Sequence, residues 1–164
     1  MLSRESQYLS IKVLIVFGSS KGRTGRIAEI LSDALSGKGL TPVLKNVFEA
    51  KSDELLEYPY IVLGSSTYGQ GDLQQDFLDF ERGMDDLDLT GIKAAVFGSG
   101  NSRYAYYAEA VDILEAKVKI QGARLILPSF RQDMMIESPD GEEVLQWAEE
   151  LADAIALETA ADIK

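Results

Sequence analysis

The sequence predicts an α/β domain built on a doubly wound, five-stranded parallel sheet. Two observations carry that expectation. Short, nearly continuous apolar runs alternate along the chain with longer stretches of helical periodicity. Three of those runs also end in segments rich in glycine and hydroxyl residues. A parallel strand covered by helices on both faces reads as an unbroken apolar run, because neither face meets water. Right-handed crossovers then leave few ways to connect the strands.

Residues 12–17 form the first such run and suit a central strand. Residues 22–35 place Ile27, Ile30, Leu31, Ala34 and Leu35 at helical spacing, and Gly37-Lys38-Gly39 punctuates the end. Residues 41–47 alternate less cleanly, as an edge strand would, and 60–63 are again continuously apolar. Phe77, Phe80 and Met84 predict a helix from about residue 73. Residues 92–97 read as a strand, and 106–120 as a helix with Ala110, Val111, Leu114 and Val118 on one stripe. Residues 125–127 read as a strand stopped by Pro128, which has no N–H to give a ladder. Ser138-Pro139-Asp140 opens a last helix whose apolar face is Val144, Leu145, Trp147, Ala148, Leu151, Ala152 and Ile155. Residues 1–10 read as a frayed leader, 11–158 as the domain and 159–164 as a C-terminal tail.

At 164 residues, 46% of them hydrophobic, the chain suits one domain with a substantial core. Its 27 acidic and 16 basic residues give a net charge of −11, which argues against nucleic acid as a partner. The acid surplus has two readings, a surface for basic proteins or simple solubility. Without cysteine or histidine the described chemistry excludes disulfides, Cys/His metal centres, a cysteine nucleophile and a Ser-His-Asp triad. Redox chemistry would need a bound cofactor. No apolar run approaches the ~18–20 residues of a membrane span, residues 1–10 lack a signal-peptide core, and the expected location is the cytoplasm.

The first loop, Gly18-Ser19-Ser20-Lys21-Gly22-Arg23-Thr24, lies between a strand and a helix N-terminus. Free N–H groups and the helix dipole attract an anion there, hydroxyls of Ser19, Ser20 and Thr24 add donors, and a phosphate is the natural guest. The alternative is a turn that merely caps the helix. The spacing fits neither the G-x-G-x-x-G fingerprint nor the P-loop. The second, Gly64-Ser65-Ser66-Thr67-Tyr68-Gly69-Gln70-Gly71, and third, Gly98-Ser99-Gly100-Asn101-Ser102-Arg103-Tyr104, both carry a tyrosine. Tyr68 and Tyr104 suggest two walls for a flat aromatic ligand, or ordinary packing residues. Backbone N–H groups around Ser99 to Asn101 could bond that ligand's polar edge.

Together the three motifs, in order and at these separations, resemble the short-chain flavodoxins over about residues 11–155. The resemblance implies a sheet of order 2-1-3-4-5 with FMN at the carboxyl ends of the strands, where the order reverses. It assigns the FMN phosphate to Ser19, Ser20, Lys21, Gly22, Arg23 and Thr24, and the second and third loops to Ser66, Thr67, Tyr68, Gly69, Gln70, Ser99, Gly100, Asn101 and Tyr104. Tyr104 would cover the outer ring face and Tyr68 the inner one. The Gly69-Gln70 peptide would turn its carbonyl toward flavin N5 on reduction, a flip glycine makes easy. The implied function is a low-potential, monomeric electron carrier, with no catalytic acid or base and no metal. Its partners would be basic redox proteins such as a flavodoxin or ferredoxin reductase, together with acceptor enzymes.

The main alternative is an NAD(P)H:quinone reductase of the same fold, which generally carries longer insertions near the second and third loops. A phosphoryl receiver would need paired acids after the first strand, where Phe17-Gly18-Ser19-Ser20 stands. Lys21, Arg23 and Arg103 depart from the family pattern, and Asn101 stands where Asp is common. These cations are expected either to neutralise the phosphate and raise the second reduction potential, or to lie screened in solvent. The acids Asp72, Asp76, Asp79, Glu81, Asp85, Asp86 and Asp88 are expected beside the flavin edge as a steering surface.

Overall fold

Val13, Leu14, Ile15 and Val16 are all fully buried, which explains why their run shows no polar alternation. Strand geometry sends successive side chains to opposite faces. Val13 and Ile15 therefore pack with Ile27, Leu31, Leu35 and Leu151, while Leu14 and Val16 pack with Phe77, Met84 and Leu114. The two apolar clusters are the two halves of a three-layer sandwich. The structure is a computed structural model describing residues 11–18, 22–68, 72–73, 75–103, 108–135 and 137–163. The leader expected over 1–10 lies outside the described residues.

The strands are β1 (Lys12–Gly18), β2 (Thr41–Asn46), β3 (Tyr60–Tyr68), β4 (Asp72–Leu73), β5 (Lys93–Gly100), β6 (Arg124–Leu125) and β7 (Phe130–Asp133). The sheet runs β2-β1-β3-β5, and its fifth position is filled by β6 and β7, both parallel to β5. The 2-1-3-4-5 order is thus present, with the last strand in two pieces and short β4 paired antiparallel to the end of β3. Helices α1 (Arg23–Gly37) and α4 (Glu142–Ile163) cover one face, and α2 (Gln75–Gly83) and α3 (Glu109–Ile120) cover the other.

Three expectations need correction. The fifth strand does not span 125–127 alone: it pauses around Pro128 and resumes at Phe130–Asp133. The pause has a use, since the Pro128 carbonyl accepts a 2.9 Å bond from the Trp147 indole. Second, β3 and β5 continue beyond residues 63 and 97, so the second and third glycine-rich segments begin as strand rather than loop. Third, α4 runs to Ile163, across the expected tail. Thr159 is buried there, its hydroxyl 3.0 Å from the Tyr60 hydroxyl, which pins the helix to the start of β3. The helices expected from residues 73 and 106 begin at Gln75 and Glu109, while Tyr106 and Tyr107 lie outside the described residues.

One lateral row crosses four strands in register: Phe17, Gly64, Phe97 and Phe130. Phe130 stacks on Trp147 at 5.8 Å, and Phe97 lies 6.3 Å from the same indole. Gly64 carries no side chain because the Phe97 ring fills the space a Cβ would occupy. The Gly64→Ala variant is expected to lose about 3 kcal/mol of stability through overpacking. Adding Phe97→Leu should recover part of that loss, read as urea midpoints of the flavin-free protein.

Candidate functional site

Beyond the aromatic row the sheet changes character. The next row is Gly18, Ser65, Gly98 and Arg131, and the one after it contains Ser66, Ser99 and Gln132. Period two puts Ser66, Ser99 and Gln132 on the α1 face, two residues beyond Gly64, Phe97 and Phe130. Ser66 is 8% exposed, and Ser99 and Gln132 are fully buried. Three buried polar groups in line, at the carboxyl ends of parallel strands, mark where the core stops and a polar site begins.

α1 enters that site by its N-terminus. Gly22 precedes it with φ of +85°, the left-handed region open to glycine. A Cβ there would meet nothing within 4 Å, so the requirement is conformational and not steric. The first turn of α1 contains no acidic residue. Thr24, fully buried, lies 2.7 Å from the Ser66 hydroxyl, with Ser99 at 3.5 Å, the outer limit of a hydrogen bond. All three sequence motifs therefore meet at one hydroxyl cluster. An open cleft of about 460 Å³ adjoins it, lined by Gly22, Arg23, Arg26, Met134 and Pro139.

The remaining predicted residues divide sharply. Arg23 does not extend into solvent: its guanidinium donates to the Gln132 side-chain oxygen at 2.7 Å and the Glu137 carbonyl at 2.9 Å. The Thr67 hydroxyl accepts from the Ala110 amide at 3.0 Å and so caps the first turn of α3 from a neighbouring strand. Asn101 accepts from the Arg103 amide at 2.9 Å, a local Asx turn that shapes the third loop. Gly98 is required sterically, because a Cβ would lie 2.6 Å from both the Ser65 carbonyl and Val111. Gly100 accepts through its carbonyl from the Met134 amide. Ser19, Ser20, Lys21, Gly69, Gln70 and Tyr104 lie outside the described residues, and of Tyr68 only the backbone is described.

Gln132 and Asp133 were not among the sequence-derived candidates. The Asp133 carboxylate accepts from the Ser102 amide at 3.2 Å and the Met135 amide at 3.0 Å. A hydrogen bond with the Ser102 side chain, more than any other influence, holds the Asp133 pKa below the usual carboxylate range, against its burial and with help from the Met135 and Ser102 amides. Sequence reasoning misses both because Pro128 reads as the end of the strand that carries them.

The acidic stretch also needs correction. β5 starts at the end of the sheet opposite the site, so the chain must descend along α2 to reach it. Asp85, Asp86 and Asp88 lie at that far end, where the Leu89 amide bonds the Gln121 carbonyl beyond α3. Glu81 and Asp85 are occupied by Lys117, whose pKa they raise against its burial. Asp79 is exposed on α2, nearer the site, whereas the side chains of Asp72 and Asp76 are not described. Among the described residues no cluster of acidic side chains could hold a metal ion.

A helix N-terminus and a polar strand-end row at the reversal point of a 2-1-3-4-5 sheet define a nucleotide-type binding protein of the doubly wound class. The family model described as Flavodoxin matches residues 15–147. A flavodoxin of Maridesulfovibrio salexigens is 36% identical over 147 residues, covering 88% of this chain and 99% of that protein. The probable flavodoxin 2 of Bacillus subtilis is 34% identical, over 86% of this chain and 94% of its own length. The solved structure of oxidised flavodoxin 2 from Bacillus cereus superposes with a TM-score of 0.82 at 34% identity, covering 90% of this chain and 99% of that one. This chain belongs to the flavodoxin family, whose members are electron-transfer flavoproteins that in general use FMN.

The donor set fits that cofactor at its phosphate end: hydroxyls and helix-terminal N–H groups converge there, with no carboxylate in the first turn of α1 to repel a dianion. The Thr24→Val variant should lose about 2 kcal/mol in flavin-free stability, since it strands the buried Ser66 hydroxyl. Thr24→Ser keeps the hydroxyl and should lose less, as measured by urea unfolding.

Proposed function

We propose that this protein is a diffusible carrier of single electrons, working through one non-covalently bound FMN between a reductase and acceptor enzymes. The observation that carries the reading is the Thr24, Ser66 and Ser99 cluster, which joins the three motifs at one helix N-terminus. FMN, when bound, supplies the redox chemistry by taking up and releasing electrons at its ring. The protein's own residues bind and orient it. N–H groups of the first turn of α1 and the loop over 18–24 hold the phosphate, while Ser66, Ser99 and Thr24 form the floor beneath. Residues 64–70 and 98–104 flank the ring, with Tyr68 and Tyr104 as its walls and the Gly69-Gln70 peptide at its edge.

The net charge of −11 disfavours adding further negative charge to the flavin and so favours a low potential. Arg23 moderates this, because its described acceptors are neutral and leave its charge uncancelled by contact. Arg103 is exposed, so salt screens it. Asp79 and the acids that precede it offer a basic redox protein its approach to the flavin edge. A monomer in the cytoplasm, with residues from 11 through α4 acting as one domain, completes the proposal. Among the described residues no helix is long and apolar enough to cross a membrane.

A visible absorption spectrum of the FMN-reconstituted protein tests this reading. The expected result is a bound-flavin spectrum whose flavin is released on denaturation. Electron exchange with a basic reductase should slow as ionic strength rises. Failure to retain FMN would overturn it, as would direct turnover of NADPH with a quinone, the behaviour of a quinone reductase.

A further inference from the structure

The first and third motifs are 74 or more residues apart, yet one hydrogen-bonded network at the end of β7 ties them together. Period two is what permits it: Gln132 points to the α1 face and Asp133, the next residue, to the opposite one. On the α1 face Gln132 accepts from Arg23 at 2.7 Å and donates its amide to the Ser138 carbonyl at 2.8 Å. On the other face Asp133 accepts from the Ser102 amide. Glu137 closes the circuit. Its carbonyl accepts from Arg23 at 2.9 Å, its carboxylate accepts from the Asp133 amide at 2.6 Å, and its amide donates to the Asp133 carbonyl at 2.9 Å.

The charges in this network are arranged unequally. Both described acceptors of Arg23 are neutral, an amide oxygen and a backbone carbonyl. The carboxylate of Glu137, whose own carbonyl Arg23 reaches, is turned onto the Asp133 amide instead. A guanidinium fixed in this way at the first residue of α1 keeps its field for an anion at the helix N-terminus. A free Arg would spend side-chain entropy to reach the same place. Meanwhile a fully buried Gln would be a poor choice for packing alone, because its amide must find partners on both sides.

We propose that Gln132 and Asp133 are positioning residues of the cofactor site: Gln132 fixes the charge of Arg23 beside the phosphate, and Asp133 fixes the Ser102 end of the loop that holds the ring. The inference rests on the FMN reading above and adds residues outside the three motifs. It assigns the two ends of one ligand to two adjacent residues of a single strand. Because Gln132 works through Arg23, removing either should forfeit the same interaction.

The test is titration of the flavin-free protein with FMN and, separately, with riboflavin, which lacks the phosphate. Arg23→Ala and Gln132→Leu should each raise the FMN Kd about tenfold, equivalent to 1.4 kcal/mol, and leave the riboflavin Kd unchanged. The double variant should cost no more than either alone. Asp133→Ala should weaken both ligands by a common factor, while Asp133→Asn, which retains an acceptor for Ser102, should restore binding. Additive losses from Arg23→Ala and Gln132→Leu would overturn the proposal. So would equal weakening of FMN and riboflavin by Gln132→Leu, or wild-type binding in all variants. Should Gln132→Leu fail to fold by circular dichroism, Arg23→Ala must still separate FMN from riboflavin, or the proposal falls. If the wild-type protein itself bound no FMN, the functional reading would fail rather than the positioning one.

Discussion

The lateral register of β1, β3, β5 and β7 is the constraint on which everything else in this protein depends. Phe17, Gly64, Phe97 and Phe130 align across four strands, so the next positions along each strand must align as well. Residues 109 apart in sequence thereby become neighbours at one edge. A slip by one residue in any strand would turn its buried apolar side chains to the wrong layer and scatter the polar row above them. Gly64 makes the alignment possible by yielding its space to Phe97, and Trp147 holds the aromatic row from α4.

The same register explains how the apolar core becomes a polar site within two residues. Below the aromatic row, the central strands β1, β3 and β5 are apolar and buried on both faces; above it, hydroxyls, an amide and a carboxylate take over. These groups are not left to bond water in the interior. Thr24 bonds Ser66, Gln132 serves Arg23 and Ser138, and Asp133 serves Ser102 and Met135. Among the described residues no buried side-chain polar atom lacks a partner. Such satisfied networks hold loops in one geometry, which a flat, phosphate-bearing ligand requires of the segments on either side of it.

Much of this was legible in the residues. The unbroken apolar runs reported strands buried on both faces, and the glycine-hydroxyl segments reported their open ends. What escaped was tertiary. Nothing local in Phe130-Arg131-Gln132-Asp133 announces a strand, since its apolar face rests on a single phenylalanine and its polar positions pair with distant partners. Pro128 looked like a terminus because proline ends ladders, whereas here the strand resumes beyond it. Thr67 and Arg23 sat inside binding motifs, yet the structure gives Thr67 to the α3 N-terminus and Arg23 to β7. The acids of residues 72–88 are close together in sequence, but a descending helix carries three of the seven, Asp85, Asp86 and Asp88, to the far end of the sheet. In each case the sequence contains the residue types, and only long-range packing decides their partners.

The central claim is that the strand-end row and the N-terminus of α1 form one FMN site. Amide chemical-shift mapping, with isotope-labelled flavin-free protein titrated by FMN, tests it most directly. The account predicts saturable changes at one equivalent, concentrated at residues 22–24, 65–67 and 98–103 and extending to Gln132 and Asp133. Changes centred on the groove between α1 and α4, or none in the first and third motifs together, would contradict it.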